Sequence, residues 1–163
     1  MSPPSPWADI YKVSDMRIRL LAIGAALATL AGCSQGITIT APTPEPKWAA
    51  VCQNALRDLP EKVADQTRRS VKNTNGLTAG WGDPVISLRC GVPRPAELKP
   101  TSQLVTVNSI DWFPQELTNG MRFTSMNTKV HVEVNVPSNY QPEGNALVDL
   151  TEALKELVIL YAK

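Results

Sequence analysis

Apolar residues recur along the chain with spacings that predict a helix at each end of the folded region and strands between them. Positions 48–59 carry an apolar residue at every third or fourth position, as one face of a helix does. Positions 147–161 repeat at the same spacing after Asn145, which is a good helix N-cap. Positions 84–90 and 129–136 alternate between apolar and polar residues, which predicts strands with one buried face.

Weaker patterns add strands between the helices. Short runs at 66–72, 104–107 and 122–126 are strand candidates. The stretch 73–83 is rich in glycine and turn residues, which predicts a mobile loop that holds a packed or half-exposed Trp81. A phosphate-binding loop is the weaker interpretation, because the glycines are not followed by the lysine that such a loop needs. These elements together predict an α+β fold, in which an N-terminal and a C-terminal helix pack on the apolar face of one antiparallel sheet.

The N-terminal part of the chain has the three-part form of an export signal. Arg17 and Arg19 precede an uncharged run at 20–30, which small residues follow. Because a membrane-spanning helix needs about 20 apolar residues, this shorter run indicates a signal peptide at 16–32. Residues 1–15 show no periodic apolar face and are interpreted as an upstream extension, with a long leader to the signal as the alternative.

The residues Leu-Ala-Gly-Cys at 30–33 resemble the lipobox of bacterial lipoproteins. The resemblance implies that Cys33 becomes the first mature residue and carries diacylglycerol, so that acyl chains anchor the protein to the outer face of the plasma membrane. A buried structural cysteine is the alternative. The Thr- and Pro-rich residues that follow predict an extended tether at 33–47, which would hold a single extracytoplasmic domain (48–163) up to roughly 40 Å from the membrane.

Cysteine usage predicts a disulfide. The chain has 3 cysteines, and the lipid would use one of them. Cys52 lies on the apolar face of the first predicted helix and Cys90 on that of the strand at 84–90, so both point to the core. In an oxidising compartment we expect these two to form a bond from helix to strand. A redox-active pair is the alternative, although such pairs usually have the close Cys-x-x-Cys spacing.

Charge and composition narrow the function classes. The predicted mature chain has balanced acidic and basic residues and no basic run, which argues against nucleic acid as a partner. His131 is the single histidine, and no group of residues has metal-ligand spacing, so neither a metal nor a cofactor is predicted. A catalytic pairing of His131 with Ser109 or Ser125 would lack a nucleophile motif, and we predict no catalytic residue and no enzyme.

A surface for a ligand or partner is the better-supported kind of site. Asp111 is followed by the aromatic residues Trp112 and Phe113, which could line a ligand site or belong to the hydrophobic core. If they belong to the core, we expect Arg94 and Asp111 to form a structural ion pair. The polar face of the strand at 129–136 is the second candidate region. The candidate residues are Arg94, Asp111, Trp112, Arg122, Lys129, His131, Glu133 and Tyr140.

A family resemblance is carried by CGVPRPAELKPTSQL (90–104), VNSIDWFPQE (107–116), RFTS (122–125) and VHVEVNVPSNYQPEGNALVDL (130–150). On these segments the chain resembles a family of small actinobacterial secreted lipoproteins classed as a domain of unknown function. The resemblance implies an envelope lipoprotein, and it supplies no activity, cofactor or catalytic residue.

Two main functional hypotheses and a weaker third follow from these observations. The first is a non-enzymatic lipoprotein that docks another envelope component or assists a membrane complex. The second is a carrier or sensor for a small ligand, such as a lipid or a cell-wall fragment, and a hydrolase is a weaker third. A packed core with a flat exposed strand face would favour docking, whereas an apolar pocket with convergent polar groups would favour a carrier.

Overall fold

The computed structural model describes residues 36–72 and 75–159, which form two helices and a set of strands. The helices are α1 (Pro46–Ala55) and α2 (Asn145–Leu154). The strands are β1 (Ile37–Thr38), β2 (Lys62–Val63), β3 (Gln66–Arg69), β4 (Val71–Lys72), β5 (Thr78–Trp81), β6 (Ile86–Val92), β7 (Val105–Val107), β8 (Ile110–Leu117), β9 (Gly120–Ser125) and β10 (His131–Pro137).

Most of the strands belong to one antiparallel 8-stranded sheet, in the order β2-β3-β5-β6-β10-β9-β8-β7. The long strands β6 and β10 pair at its centre, with Cys90 opposite Val132 and Leu88 opposite Val134. β1 and β4 pair separately and in parallel. Among the described residues, no helix is long and apolar enough to cross a membrane.

Both helices cover the same face of the sheet. Alternate residues of β6 (Ile86, Leu88 and Cys90) are fully buried on this face. The side chains that α2 contributes to the same core are Ala146, Leu147, Leu150 and Leu154. The predicted α+β fold, with an N-terminal and a C-terminal helix on the apolar face of one antiparallel sheet, is confirmed.

A disulfide joins the first helix to the centre of the sheet. Cys52 of α1 and Cys90 of β6 are bonded, with their Cα atoms 5.6 Å apart, and both are fully buried. α1 begins with Pro46, at a position where the missing N–H of proline costs no helical hydrogen bond. The predicted bond from helix to strand is confirmed.

The stretch predicted as a mobile loop contains a strand. Thr78–Trp81 is β5, paired between β3 and β6, and Trp81 is fully buried. The indole Nε1 of Trp81 donates to the carbonyl oxygen of Pro60 at 2.9 Å. The loop prediction is wrong for these residues, because Gly80 serves close packing on the strand rather than a turn.

Two further elements differ from the sequence prediction. The segment with Asp111 and Trp112, which is not among the strands predicted from sequence, lies inside β8, and Pro114 of this strand pairs opposite Phe123 of β9. Helix α2 starts at Asn145 itself, and no side chain caps its first turn. The predicted N-cap role of Asn145 is therefore wrong.

Residues 36–44, predicted as part of a tether, pack on the domain, and we call them the strap. Ile37 N donates to the carbonyl oxygen of Ser70 at 2.8 Å, and β1 pairs Ile37 with Val71. Further along the strap, Pro42 is buried. The isoleucines and threonines at the start of the segment suit strand pairing.

For residues 36–44 the tether prediction is wrong, because they pack on the domain, and the described part of the domain starts before Trp48, at β1. Residues 33–35, like the predicted extension at 1–15 and the predicted signal peptide at 16–32, lie outside the described residues.

Two glycines make room for the strap. A Cβ at Gly80 of β5 would lie 2.5 Å from Ile37 Cδ1. A Cβ at Gly91 of β6 would lie 2.6 Å from Pro44 Cγ, and Gly91 has φ +95°, which residues with side chains rarely adopt. Both glycines alternate with core positions along their strands. The strap therefore crosses the outer face of the sheet, opposite the helices.

Candidate functional site

A row of polar side chains crosses the outer face of the sheet. Arg89 of β6 and Thr124 of β9 both lie opposite Glu133 of β10. Side chains of directly opposite residues on one face are close neighbours, with Cβ atoms about 4.5–5.5 Å apart. The alternation that buries the valines of β10 in the core places Glu133 in this row.

Glu133 is the central charge of the row. Its Oε1 accepts a hydrogen bond from Arg89 Nη1 at 3.0 Å, and its Oε2 lies 3.5 Å from Arg122 Nε. Because its side chain is only 10% exposed, its charge would be costly without these arginines. Asn135 Oδ1 also accepts from Arg122 Nε at 3.1 Å. The carboxylate and the amide together hold both guanidinium groups in place.

A loop after β6 lies over this row and turns it into a groove. Gln115 Nε2 of β8 donates to Glu97 Oε2 at 3.3 Å, which connects the loop to the sheet. The groove has a volume of about 340 Å³, and small-molecule sites usually measure about 300–1,000 Å³. Its charged and amide lining residues are Arg89, Arg94, Glu97, Gln115, Arg122 and Glu133.

The electrostatics of the groove favour an anionic group. Three arginines and two glutamates line it, so one positive charge is in excess. Among the described residues, Arg94 enters none of the ion pairs. Arg89 Nε is buried and has no acceptor within the described part of the chain. Since guanidinium groups bind carboxylates and phosphates with paired hydrogen bonds, these arginines suit either group.

The groove brings together three of the residues predicted from sequence, namely Arg94, Arg122 and Glu133. Asp111 lies elsewhere: its Oδ1 accepts from Thr106 Oγ1 at 2.7 Å, and the predicted ion pair with Arg94 is not formed. Trp112 is fully buried in the core. Its assignment to a partner surface is therefore wrong, and the alternative of a core anchor is correct.

Lys129 and Tyr140 make structural contacts outside the groove lining. Lys129 Nζ donates to the carbonyl oxygen of Glu156 at 3.1 Å. The Tyr140 hydroxyl donates to the carbonyl oxygen of Pro84 at 2.7 Å. Each side chain joins segments that are distant in the sequence, and neither reaches the groove.

His131 and Ser125 are adjacent but do not form a hydroxyl–imidazole pair. His131 Nδ1 lies 2.7 Å from the carbonyl oxygen of Ser125, not from its hydroxyl. The Ser125 hydroxyl is buried, accepts from the Val132 amide at 2.9 Å and lies 2.7 Å from the Thr128 hydroxyl. No group of three or more metal-binding side chains occurs within residues 36–72 and 75–159.

Three charged or amide residues of the groove are not among the residues predicted from sequence, namely Arg89, Glu97 and Gln115. The alternation of β6 places Arg89 on the polar face of its strand, but only the pairing of β6 with β10 puts it opposite Glu133. Gln115 lies on β8, which was not predicted as a strand because it contains Pro114. The sequence does show an arginine on the polar face of one strand and a glutamate on the polar face of another. This pattern indicates a charged pair only when the two strands are known to be neighbours in the sheet.

Family membership comes from a comparison with family models. The model described as "Protein of unknown function (DUF3515)" matches residues 16–159. The chain belongs to this family. Comparisons with curated proteins and with solved structures give no match. The predicted membership of a family of unknown function is confirmed, whereas its lipoprotein and actinobacterial attributes stay predictions. Since DUF3515 carries no assigned activity, function has to be argued from the groove.

Proposed function

We propose that this DUF3515 protein is a lipoprotein anchored by acyl chains on Cys33 to the outer face of the plasma membrane, where it docks another component of the cell envelope without catalysing a reaction. The lipobox-like residues at 30–33 support the anchor. The docking role is supported by one observation, the charged groove on the face of the sheet that points away from the packed core.

The packing of the core favours docking over a carrier for an apolar ligand. Trp81 and Trp112 are fully buried in the core cluster shared by the sheet and the helices. The groove lies on the opposite face and is lined by charged side chains. A lipid would need a largely apolar pocket, and the charged lining suits a polar partner instead.

The partner group that best fits the groove is a carboxylate or another anion. Arg89 and Arg122 are already oriented by Glu133, so a partner would not have to order them on binding. Arg94 stands exposed at the rim. An acidic side chain on an envelope protein would bind with an affinity that falls as the salt concentration rises.

A second candidate function is a carrier or sensor for a small anionic ligand. The groove volume of about 340 Å³ favours it, because this volume lies within the range of small-molecule sites. A cell-wall fragment that bears a carboxylate is a ligand of the required chemistry.

Site-specific photocrosslinking in the protein's own membrane tests the docking role. A photoreactive amino acid replaces Glu97 at the exposed groove rim, and in a control protein it replaces exposed Thr118 in the turn between β8 and β9. We expect a discrete protein adduct from the groove position only, which Arg94→Glu abolishes. An adduct of equal intensity from Thr118 contradicts docking at the groove. A small anionic molecule that copurifies, without a protein adduct, supports the carrier instead.

A further inference from the structure

We infer that the bilayer surface lies directly against this domain on the side where the strap enters, so that the membrane itself is a contact surface of the protein. The inference rests on the proposed lipidation of Cys33. Its structural basis is the packing of residues 36–44, which removes most of the predicted spacer.

The strap is attached to the domain along its length. At its start, Ile37 N donates to the carbonyl oxygen of Ser70 at 2.8 Å. Its isoleucines lie over Gly80, where a Cβ would be 3.1 Å from Ile39 Cδ1. Near its end, Pro44 occupies the space above Gly91. Because these contacts begin at Ile37, residues after this point do not act as a spacer.

The remaining length of chain is short. Cys33 precedes Ile37 by four residues, and a peptide chain spans at most about 3.6 Å per residue. At most about 14 Å of chain therefore connects the lipidated residue to a residue that is hydrogen-bonded to the sheet. A free tether through Lys47 would have allowed roughly 40 Å. Chain length alone thus holds the domain at the headgroup layer.

The occupant of this surface is the bilayer that holds the acyl chains, since the chain between anchor and fold is too short for a folded partner to intervene. Lys72 supplies a complementary charge. It is exposed, and its Cγ would lie 3.0 Å from a Cβ at Gly36, the first described residue of the strap. An ammonium group near the surface favours anionic headgroups.

The strap also lies beside the charged groove. Ala41 and Pro44 border a depression that includes Arg89 and Pro93, and these two residues line the groove as well. A partner in the groove is therefore next to the segment that leads to the membrane. This arrangement suits a partner that is itself attached to the same membrane.

Energy transfer to labelled lipid headgroups measures the separation. The lipidated chain carries a donor at Ser70→Cys, an exposed position beside Ile37, in vesicles of phosphatidylethanolamine and phosphatidylglycerol. We expect a donor-to-headgroup distance of about 20 Å. A matched variant carries about twelve inserted Gly and Ser residues between Gln35 and Gly36, and its distance should rise by about 20 Å.

The outcomes separate this inference from the proposed anchor. Protein that does not float with the vesicles because Cys33 is unmodified refutes the anchor and the inference together. Floating, lipidated protein with its donor at roughly 40 Å refutes the inference alone. An unchanged distance after the insertion also contradicts it, because chain length would then not set the position.

Hydrogen exchange tests the strap without any lipid. In a chain that begins at Ser34, the Ile37 amide should exchange slowly, because it donates to Ser70 in the folded domain. Exchange at the rate of an unstructured amide would show that the strap is free, and it would overturn the inference.

Discussion

Breaking the disulfide should remove a large part of the stability of the domain. Cys52 and Cys90 are bonded at a sequence separation of 38. In the chain-entropy model, a cross-link over a loop of this length stabilises the folded state by about 4 kcal/mol at 25 °C. Small domains have net stabilities of about 5–15 kcal/mol. Losing the bond would therefore lower the ratio of folded to unfolded molecules by a factor of roughly a thousand.

Urea unfolding of a chain that begins at Ser34 measures this effect. The oxidised protein is compared with the reduced protein, which keeps both sulfur atoms in the core, and with the double variant Cys52→Ala, Cys90→Ala. The reduced protein should lose about 4 kcal/mol. The double variant should lose somewhat more, because it also leaves a cavity. The urea m-value should increase in both, since an unlinked unfolded chain exposes more surface.

A small loss on reduction would refute this reasoning. If the reduced protein lost less than about 1 kcal/mol, the unfolded chain would already be restricted without the bond, or the native bond would be strained. The double variant alone could not show this, because its cavity adds a separate cost.

Three further changes test the groove and the strap by urea or thermal unfolding. Glu133→Gln leaves two partly exposed arginines without their counter-charge and should cost about 1–3 kcal/mol; no loss would contradict its central role. Gly91→Ala should cost about 1–3 kcal/mol, because its Cβ would meet the strap at a positive φ. Its control Gly144→Ala has open space and an ordinary helical φ, and it should leave stability unchanged or raise it by up to about 1 kcal/mol. A chain that starts at Glu45, which keeps all of α1, should melt below one that starts at Ser34. Equal midpoints would show that the strap contributes nothing.

The periodic elements and the disulfide could be predicted from sequence because they depend on local patterns. The alternation around Cys90 defines its strand and shows which side is buried. The spacing around Cys52 does the same for α1. Two cysteines on buried faces can pair without any knowledge of strand order, which is why the bond was predicted correctly.

Other features depend on packing between distant segments and left no local signal. β5 contains Gly80, which suggests a turn until the strap is seen to pack on it. The strap itself has the alternating prolines of a spacer, yet Pro42 is buried on the sheet. A proline-rich segment therefore indicates an extended backbone, and only the packing decides whether that backbone is free.

The groove was predicted in part for the same reason. The sequence predicts Glu133 on a candidate surface because Glu133 occupies a polar position on a predicted strand. Arg89 occupies an equivalent position and was missed, because its importance comes from the pairing of β6 with β10. Strand order is a global property of the sheet, and residue alternation does not determine it.

Intact-mass analysis of the protein from its native membrane fraction tests the lipid anchor most directly. We expect a mature chain that begins at Cys33, with residues 1–32 removed and acyl chains on the N-terminal cysteine. Cys33→Ala should leave the precursor uncleaved or release the protein from the membrane. A soluble wild-type product with an unmodified Cys33 would contradict the proposed anchor.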